Sequence, residues 1–354
     1  MRRLAKDVYV EMGFRGGNVG LVTTGEGVVL VDTPSLPSEA HRWREEIGRV
    51  TDQEIAYVIN TDYHGEHILG NRFFPGVVVA HKLTGERLGD EAFCQKLYES
   101  WGEEVKLVPP QLTFTGRMTL YLGEKTIKLI HLGGYTPASI GVHIPQDRVL
   151  FTGEVVVIDE HPVIAEGKSL QWLHALTLIR GIDAEIIVPG HGSLCDQEAT
   201  QRLSSYIRKM RKKVKRQVVA GRSRREMIER IDLGRIVDFF PVAEGERKEV
   251  EKRVKASLRR IYDEMKEELQ MATEEEVKAI KAKHEKEILA KKNVVGLGIG
   301  FKRVGGRKTD QLSLVVMVRE KASPSELSPE DLIPSEIEGV VTDVKEVGEI
   351  VALS

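Results

Sequence analysis

The 354-residue sequence contains only two cysteines, Cys94 and Cys195, and they lie far apart in the chain. Two such residues exclude a disulfide framework and are typical of a protein in a reducing compartment, so we expect a cytoplasmic location. No apolar run approaches the ~18–20 residues that a membrane span needs. No apolar segment follows the basic residues at the start, so we expect neither a signal peptide nor a membrane partner.

The sequence also has almost no excess of charge of either sign, since the formal net charge is only -2. That balance hides a block at residues 201–230, where twelve Lys/Arg residues accompany only Glu226 and Glu229. Such a block could attract nucleic acid or anionic lipid. The alternative is a solvated helix face whose charges are offset by acidic neighbours. We favour this alternative, because Tyr206 is the only aromatic residue in the block that could stack on a base.

Chemistry-bearing residues are concentrated in the segment 60–67, Asn-Thr-Asp-Tyr-His-Gly-Glu-His. It follows the apolar, strand-like run Ile55–Ile59 and places two histidines and two carboxylates within six residues. A loop at the end of a strand can aim several side chains at one point. Imidazole and carboxylate groups are ligands that zinc, iron and manganese accept. The segment therefore predicts a metal site.

Four segments, taken in order, resemble the signature of the metallo-β-lactamase superfamily. Asp62-x-His64-x-Glu66-His67 corresponds to its His-x-His-x-Asp-His, with two of the four positions changed. The other three are 131–139, which resembles Gly-His-Thr-Pro-Gly-Ser but has Tyr135 in place of its histidine; 151–154, which has Glu154 in place of an aspartate; and 188–192, which contains Pro-Gly-His-Gly unchanged. Four such segments over about 130 residues are far more specific than one.

The resemblance implies an α/β fold, the αββα metallo-β-lactamase sandwich. The residues themselves indicate the same class, because residues 1–200 show short apolar strands and helices in two successive sets. We expect this sandwich at 1–200, a helical extension of it at 201–272, a charged helical connector at 273–291 and a small α/β module at 292–354. Single helices are expected at 37–50, 84–100 and 169–180, and capping boxes indicate helices that begin after Ser223 and Thr273.

The C-terminal module has a distinctive start, because apolar residues alternate with glycine over 294–301 as in an edge strand. It resembles a small α/β module found beside bacterial trypsin-like domains. The Gly-Asp-Ser-Gly nucleophile segment of those proteases does not occur in the sequence, so no protease activity is expected. The Gly-x-Gly-x-Gly spacing without a strand–helix context is structural rather than nucleotide-binding.

The resemblance also assigns metal-binding roles. Asp62, His64 and Tyr135 would hold a first ion. A second ion would be held by Glu66, His67 and His191, and Glu154 would bridge the two. Neutral Tyr135 is a reluctant ligand, so the second site, with Glu154 as its fourth ligand, is the stronger expectation. The alternative ligand at the first site is His131, if its loop rearranges. Zn²⁺ is expected as one or two ions, with Fe or Mn as alternatives.

The resulting hypothesis is a metal-dependent hydrolase in which a metal-bound hydroxide attacks an ester, thioester, amide or phosphodiester in a small-molecule substrate. Asp62 is the candidate for orienting the water or accepting its proton, and Tyr135 for donating a hydrogen bond to the developing oxyanion. One alternative is a catalytically inactive scaffold or regulatory protein with a degenerate metal site. Another is an iron redox protein, although the tail does not resemble a flavin-binding domain.

A long amphipathic helix is expected over 246–270, because apolar residues recur at three- and four-residue spacing. The stripe consists of Val250, Val254, Leu258, Ile261 and Met265. Such a stripe belongs to a core or to a dimer seam, so a homodimer through the helices of 201–270 remains open at this point.

Overall fold

The structure of the protein is a computed structural model. It describes residues 1–101, 106–158, 160–164, 166–270, 273–304, 307–323 and 327–348. The chain forms two compact units, Met1–Glu264 and Met265–Ser354. The finer division that we expect at residues 200, 272 and 291 stays a prediction.

The first unit contains two β-sheets. Seven strands form the first sheet in sequence order: β1 (Arg2–Ala5), β2 (Val8–Glu11), β3 (Val19–Thr24), β4 (Gly27–Val31), β5 (Ile55–Ile59), β6 (Val77–His81) and β7 (Leu112–Phe114). Five strands form the second: β8 (Arg117–Leu122), β9 (Lys125–His131), β10 (Ile140–Ile144), β11 (Val149–Phe151) and β12 (Ile186–Val188). Strands β1–β4 are antiparallel, β4–β7 run parallel, and β11 runs parallel to β12.

Nine α-helices begin within the described residues of this unit. They are α1 (Pro37–Gly48), α2 (Gly65–Ile68), α3 (Lys82–Leu88), α4 (Glu91–Trp101), α5 (Ser169–Arg180), α6 (Gln197–Val219), α7 (Arg224–Arg230), α8 (Gly234–Val237) and α9 (Arg247–Gln270), whose last residues belong to the second unit. Within the described residues, no helix is both long enough and apolar enough to cross a membrane.

The direction of the side chains alternates along β4 and shows how the layers are built. Val29 and Val31 belong to the core between the two sheets, together with Leu129 and Val142 of the second sheet. Val28 and Leu30 point the other way and belong to a core that includes Trp43 of α1 and its neighbours. Successive strand residues face opposite sides, so β4 is covered on both. The two facing sheets confirm the predicted α/β sandwich.

Trp43 anchors the helical layer over the first sheet. Its side chain is fully buried, and its ring meets that of Phe14 edge-on at 6.0 Å. We expect Trp43→Ala to destabilise the protein by about 3–5 kcal/mol, because it removes a large buried side chain and leaves a cavity. Urea unfolding followed by circular dichroism measures this loss. Tyr121→Ala, at a side chain that is 76% exposed, should change the free energy of unfolding by less than about 0.5 kcal/mol. Equal losses in both variants would contradict this account of the packing.

The prediction of a single helix over 84–100 is wrong, because two helices, α3 and α4, lie there. Gly89 ends α3, and the Asp90 carboxylate accepts hydrogen bonds from the backbone N–H groups of Ala92 (2.9 Å) and Phe93 (3.3 Å). Asp90 thereby caps a new helix, which is a strong local signal for a helix start. The capping boxes at Ser223 and Thr273 are confirmed.

The predicted apolar stripe of α9 is buried within the chain. Val250 is 8% exposed, Val254 1%, and Leu258 and Ile261 are fully covered. The stripe is therefore a packing face of this single chain. Pairing of two copies through helices of 201–270 stays a prediction.

Within its described residues, the second unit combines a helix that follows α9 with a four-stranded sheet. Its elements are α10 (Glu274–Leu289), β13 (Val294–Val304), β14 (Arg307–Val318), β15 (Glu336–Ile337) and β16 (Val340–Glu346). The spatial order is β13-β14-β16-β15, so the glycine-rich β13 is an edge strand, as its sequence predicts. Val277 of α10 packs with Leu314 and Val340 in the core of this unit.

Candidate metal centre

The candidate site lies where strands of the two sheets end. Asp32 follows β4, Asp62 follows β5, and the loops after β11 and β12 carry Glu154 and His191. Parallel strands that end at one edge of a sheet bring the loops that follow them together. Residues more than 150 positions apart therefore meet at one place.

His67 is the most firmly held imidazole of the site. Its side chain is 1% exposed, and its Nδ1 lies 3.0 Å from Asp32 Oδ2. The same carboxylate accepts the Thr61 backbone N–H at 2.8 Å and the Thr61 hydroxyl at 2.6 Å. With Nδ1 bound to Asp32, Nε2 is turned to the interior of the site. This is the usual way in which an outer carboxylate orients a metal-binding histidine.

The backbone of the motif loop is fixed by polar side chains. The His67 carbonyl accepts hydrogen bonds from the Asn60 amide at 2.9 Å and the Thr33 hydroxyl at 3.2 Å. The Asn71 amide group donates to Asn60 and its oxygen accepts from Thr33, both at 2.8 Å. Every one of these side chains is buried, so the network closes on itself and holds α2 in place.

Glu154 lies between the buried imidazole of His67 and the partly buried imidazole of His191. Its Oε1 is 3.1 Å from His191 Nε2 and 3.7 Å from His67 Nε2. Asp62 Oδ1 approaches the same His67 nitrogen at 4.0 Å. The structure thus brings His67, Glu154, His191 and Asp62 close to one another.

The loop that bears His191 is attached to the first sheet through Asn18. The Asn18 amide donates to the carbonyls of Pro189 at 2.8 Å and Gly192 at 3.0 Å. Gly190 allows the close approach of this loop to Glu154, because a Cβ on Gly190 would lie 2.3 Å from Glu154 Oε1. The unchanged Pro-Gly-His-Gly segment therefore has a steric reason for its central glycine.

His64 occupies the outer side of the site. Its Nδ1 is 3.4 Å from Asp62 Oδ2, and its Nε2 is 3.6 Å from Glu166 Oε1. The Tyr63 hydroxyl donates to the other Glu166 oxygen at 2.5 Å. Since one carboxylate lies on each side of it, His64 bridges the interior of the site to the half-exposed Glu166.

Tyr135 borders the same space. The Tyr135 ring meets His64 at 5.4 Å and Trp172 at 5.5 Å between centroids. Burial and the nearby carboxylates, Glu154 foremost among them, raise the pKa of Tyr135 far above its usual value. The phenol therefore stays protonated and is a hydrogen-bond donor. Glu66 is half-buried, and its negative charge helps to raise the pKa of His67.

His131 is placed away from these residues. Its ring stacks on His81 with centroids 4.0 Å apart, and its Nε2 lies 2.8 Å from the Pro137 carbonyl oxygen. The rearranged loop that would bring His131 to the first metal position is not the arrangement in this structure.

Opposite charges dominate the electrostatics of the centre. Burial opposes ionisation of Asp62, but His64 and His67 hold its pKa below the usual range. Burial also opposes protonation of His64, yet Asp62 and Glu166 raise its pKa to about 10. In the same way, Glu154 raises the pKa of His191 against the effect of burial. Clustered carboxylates thus favour positive charge at this point, which a metal ion supplies by displacing protons.

The carboxylate and imidazole groups of the site are suitable ligands for a divalent ion. Buried atoms without a hydrogen-bond partner within the described residues include Asp62 Oδ2, His64 Nδ1, His67 Nε2 and Glu154 Oε1. Ligand atoms about 2.1 Å from a tetrahedral zinc ion lie about 3.4 Å from one another, and the two Glu154–histidine distances, 3.1 and 3.7 Å, bracket that value. In the described part of the chain, no three His, Cys, Asp or Glu side chains are already grouped to hold an ion. Binding would therefore require the donors to draw together.

Sequence reasoning missed three residues that shape the site. Asp32 carried a usable signal, because an acidic residue directly follows a fully buried strand. Asn18 and Glu166 belong to no motif, and only the folded chain brings them to the loops that they hold.

Comparison with known proteins supports one family. The model of the metallo-beta-lactamase superfamily matches residues 12–191, just over half of the 354 residues. The chain is 24% identical over 225 residues to the beta-lactamase-like protein 2 homolog of Caenorhabditis elegans, which covers 62% of this chain and 70% of that protein. It is 22% identical over 201 residues to the lactamase-like protein aptB of Emericella nidulans, which covers 56% of this chain and 57% of that protein.

A solved structure shows the same fold at low identity. The stereoselective inverting sec-alkylsulfatase Pisa1 from Pseudomonas sp. superimposes with a TM-score of 0.59 at 13% identity. The match covers 80% of this chain and 54% of the sulfatase, so the chain spans about half the length of that protein. The motifs, the two facing sheets and the family match agree, and the chain belongs to the metallo-beta-lactamase superfamily, whose members include hydrolases.

Proposed function

We propose that the protein is a metal-dependent hydrolase that cleaves an ester, thioester, amide or phosphodiester bond of a small molecule. The observation that carries the proposal is the Glu154 carboxylate between the imidazoles of His67 and His191. Two buried atoms of this group, His67 Nε2 and Glu154 Oε1, have no hydrogen-bond partner among the described residues, which is costly unless a ligand satisfies them. The ion that we propose is Zn²⁺, with Fe or Mn as the alternatives that metal analysis distinguishes.

His67, Glu154 and His191 would hold the ion, with Asp62 beside them. Such an ion lowers the pKa of water and polarises the bond to be cleaved. Glu66 would complete the ligand set around His67 and His191. An ion at the other position would have to use Asp62, His64 and the protonated Tyr135. Because a protonated phenol is a poor ligand, we propose that the position between His67 and His191 binds the ion more tightly.

Asp62 is the proposed group for orienting the attacking water or accepting its proton. Its Oδ1 already accepts the His64 backbone N–H at 2.8 Å, which fixes the carboxylate. Its Oδ2 has no hydrogen-bond partner in the described residues and lies 3.4 Å from His64 Nδ1. Asp62 can therefore orient a water molecule with one oxygen while the other stays anchored.

Tyr135 is the proposed donor to the developing oxyanion. Its pKa is raised far above the ordinary value by burial and the carboxylates, so the hydroxyl keeps its proton at neutral pH. A neutral donor held against His64 and Trp172 costs little reorganisation when charge develops on the substrate.

A cleft of about 400 Å³ beside the site offers room for the substrate. Tyr63 and Glu166 line it and also contact His64. The remaining lining residues are Leu83, Glu86, Arg87, Asp90 and Pro137. A cleft of this size suits a small molecule.

The second candidate is a catalytically inactive scaffold with a degenerate metal site. It is favoured by the finding that, among the described residues, no three potential ligands are already grouped around one point. The two candidates differ in whether the purified protein holds a metal.

Metal content per chain, measured by mass spectrometry on protein purified without chelator, tests the proposal. We expect about one to two equivalents in the wild type, and loss of most of that metal in His67→Ala because the ligand set is broken. His174→Ala, an exposed histidine of α5, is the matched control and should keep the wild-type content. Metal-loaded protein would then be screened with esters, thioesters, amides and phosphodiesters. A wild type that takes up no zinc, iron or manganese would favour the scaffold.

A further inference from the structure

The outer face of α6 carries a concentration of positive charge. We call its five exposed cations, Arg208, Lys209, Lys212, Lys215 and Arg216, the basic face. The sequence contains no acidic residue between Glu198 and Glu226. The basic face therefore lies on a stretch of chain that supplies no local counter-charge.

The opposite side of α6 is anchored in the first unit. Leu203 is 2% exposed, and Ile207, Met210 and Val214 are fully buried. An anchored helix keeps the Cα atoms of its polar face at a fixed spacing. The buried apolar side also means that α6 has no free apolar face to insert into a lipid surface.

The cations of the basic face are not offset by acidic neighbours. None of the five has a carboxylate within 4.0 Å among the residues that the structure describes. Arg211 of the same helix shows the contrast, because it lies 3.5 Å from Glu264 and donates to Ser169 at 2.7 Å. Lys209 rests on the ring of Phe239 at 4.5 Å, which leaves its charge uncompensated. The sequence-based preference for an acid-balanced helix face is therefore not supported by the contacts.

The spacing of these cations suits a regular polyanion. Arg208, Lys212 and Arg216 follow one another at four-residue intervals, so their Cα atoms are about 6 Å apart along the helix axis. Successive phosphates of one duplex strand rise by about 3.4 Å, so three cations spaced in this way can meet several phosphates. The one aromatic residue of the segment, Tyr206, is 1% exposed and its hydroxyl lies 3.1 Å from His161 Nδ1. Tyr206 therefore offers no ring on which an unpaired base could stack.

We propose that the basic face of α6 binds the phosphate backbone of double-stranded nucleic acid without reading its sequence. Contacts would be made by the side-chain charges of Arg208, Lys212 and Arg216, with Lys209 and Lys215 beside them. The proposal does not depend on the metal centre.

Fluorescence anisotropy with a labelled duplex of about 20 base pairs, titrated over a range of salt, tests this surface. The variant Arg208→Gln, Lys212→Gln, Arg216→Gln removes three charges, and glutamine keeps the helix propensity of these positions. We expect affinity at about 50 mM salt to fall about tenfold or more. The plot of log K against log salt should become shallower by about 2.7, which is 0.9 for each phosphate that the variant no longer neutralises.

The matched control removes the same charge elsewhere in the first unit, at the exposed residues Lys96, Arg117 and Lys128, each replaced by glutamine. It should bind as the wild type does, and circular dichroism should show that both variants fold. Equal weakening in the control would overturn the proposal. So would tighter binding of oligo-dT than of the duplex, binding to phosphatidylserine vesicles without duplex binding, or no duplex binding by the wild type at about 100 µM protein.

Discussion

Replacing Glu154 by glutamine should reduce hydrolysis on the order of a thousandfold, about 4 kcal/mol of transition-state stabilisation. Glu154 Oε1 is 3.1 Å from His191 and 3.7 Å from His67, so this one carboxylate connects both imidazoles. Glutamine has the same shape, but it lacks the negative charge and places an amide in the site. The variant should also hold metal more weakly, which competition with a chelator measures without any substrate.

A matched control for this variant is Glu160→Gln. Glu160 also faces His191, but at 3.9 Å, and its side chain is 54% exposed. Solvent screens so exposed a pair, so this variant should retain metal and activity within a few-fold of the wild type. If Glu154→Gln behaves like Glu160→Gln, the site is not organised around Glu154 and the proposed ligand set is wrong.

The sequence predicts the position of the motif loop because its signals are local. The strand Ile55–Ile59 and the histidines and carboxylates directly after it occupy one continuous segment. A continuous apolar run reports a buried strand without any knowledge of its neighbours. The short apolar strands that we expect within residues 1–200 follow from the same reasoning, since each has its own apolar pattern and its own turn residues.

Contacts between distant segments could not be predicted in this way. Asn18 holds the His191 loop across more than 170 residues, and Glu166 reaches His64 across about 100. Neither residue has neighbours in sequence that mark it. Their roles depend on how the two sheets face each other, which one sequence does not specify. The break between α3 and α4 is different, because Gly89 is a local signal for the end of a helix and Asp90 is a local signal for the start of the next one.

Asp32 is intermediate between the residues marked by local sequence signals and those placed only by contacts between distant segments. Its φ of +57° is unusual for any residue other than glycine, although asparagine and aspartate tolerate it best. Asp32→Asn therefore keeps the backbone, and its side-chain oxygen can still accept from the Thr61 N–H. The amide nitrogen replaces the oxygen that lies 3.0 Å from His67 Nδ1. We expect metal affinity to fall about 10–100-fold, because His67 loses the group that orients it.

Comparison of Asp32→Ala with Asp32→Asn separates orientation of the histidine from stability of the fold. Alanine at positive φ is strained, and the Thr61 hydroxyl and backbone N–H, both buried, lose their acceptor. We expect a loss of about 3–5 kcal/mol in the free energy of unfolding, against about 1–2 kcal/mol for Asp32→Asn. Urea unfolding of the metal-free protein measures stability, and chelator competition measures affinity, with the exposed Asp52→Asn as control. Wild-type metal affinity in a folded Asp32→Asn would show that Asp32 supports the loop alone and does not position His67. Weaker affinity in Asp32→Asn, with a loss of only about 1–2 kcal/mol in the free energy of unfolding, would instead separate the two roles, because the contact to His67 then accounts for the lost affinity.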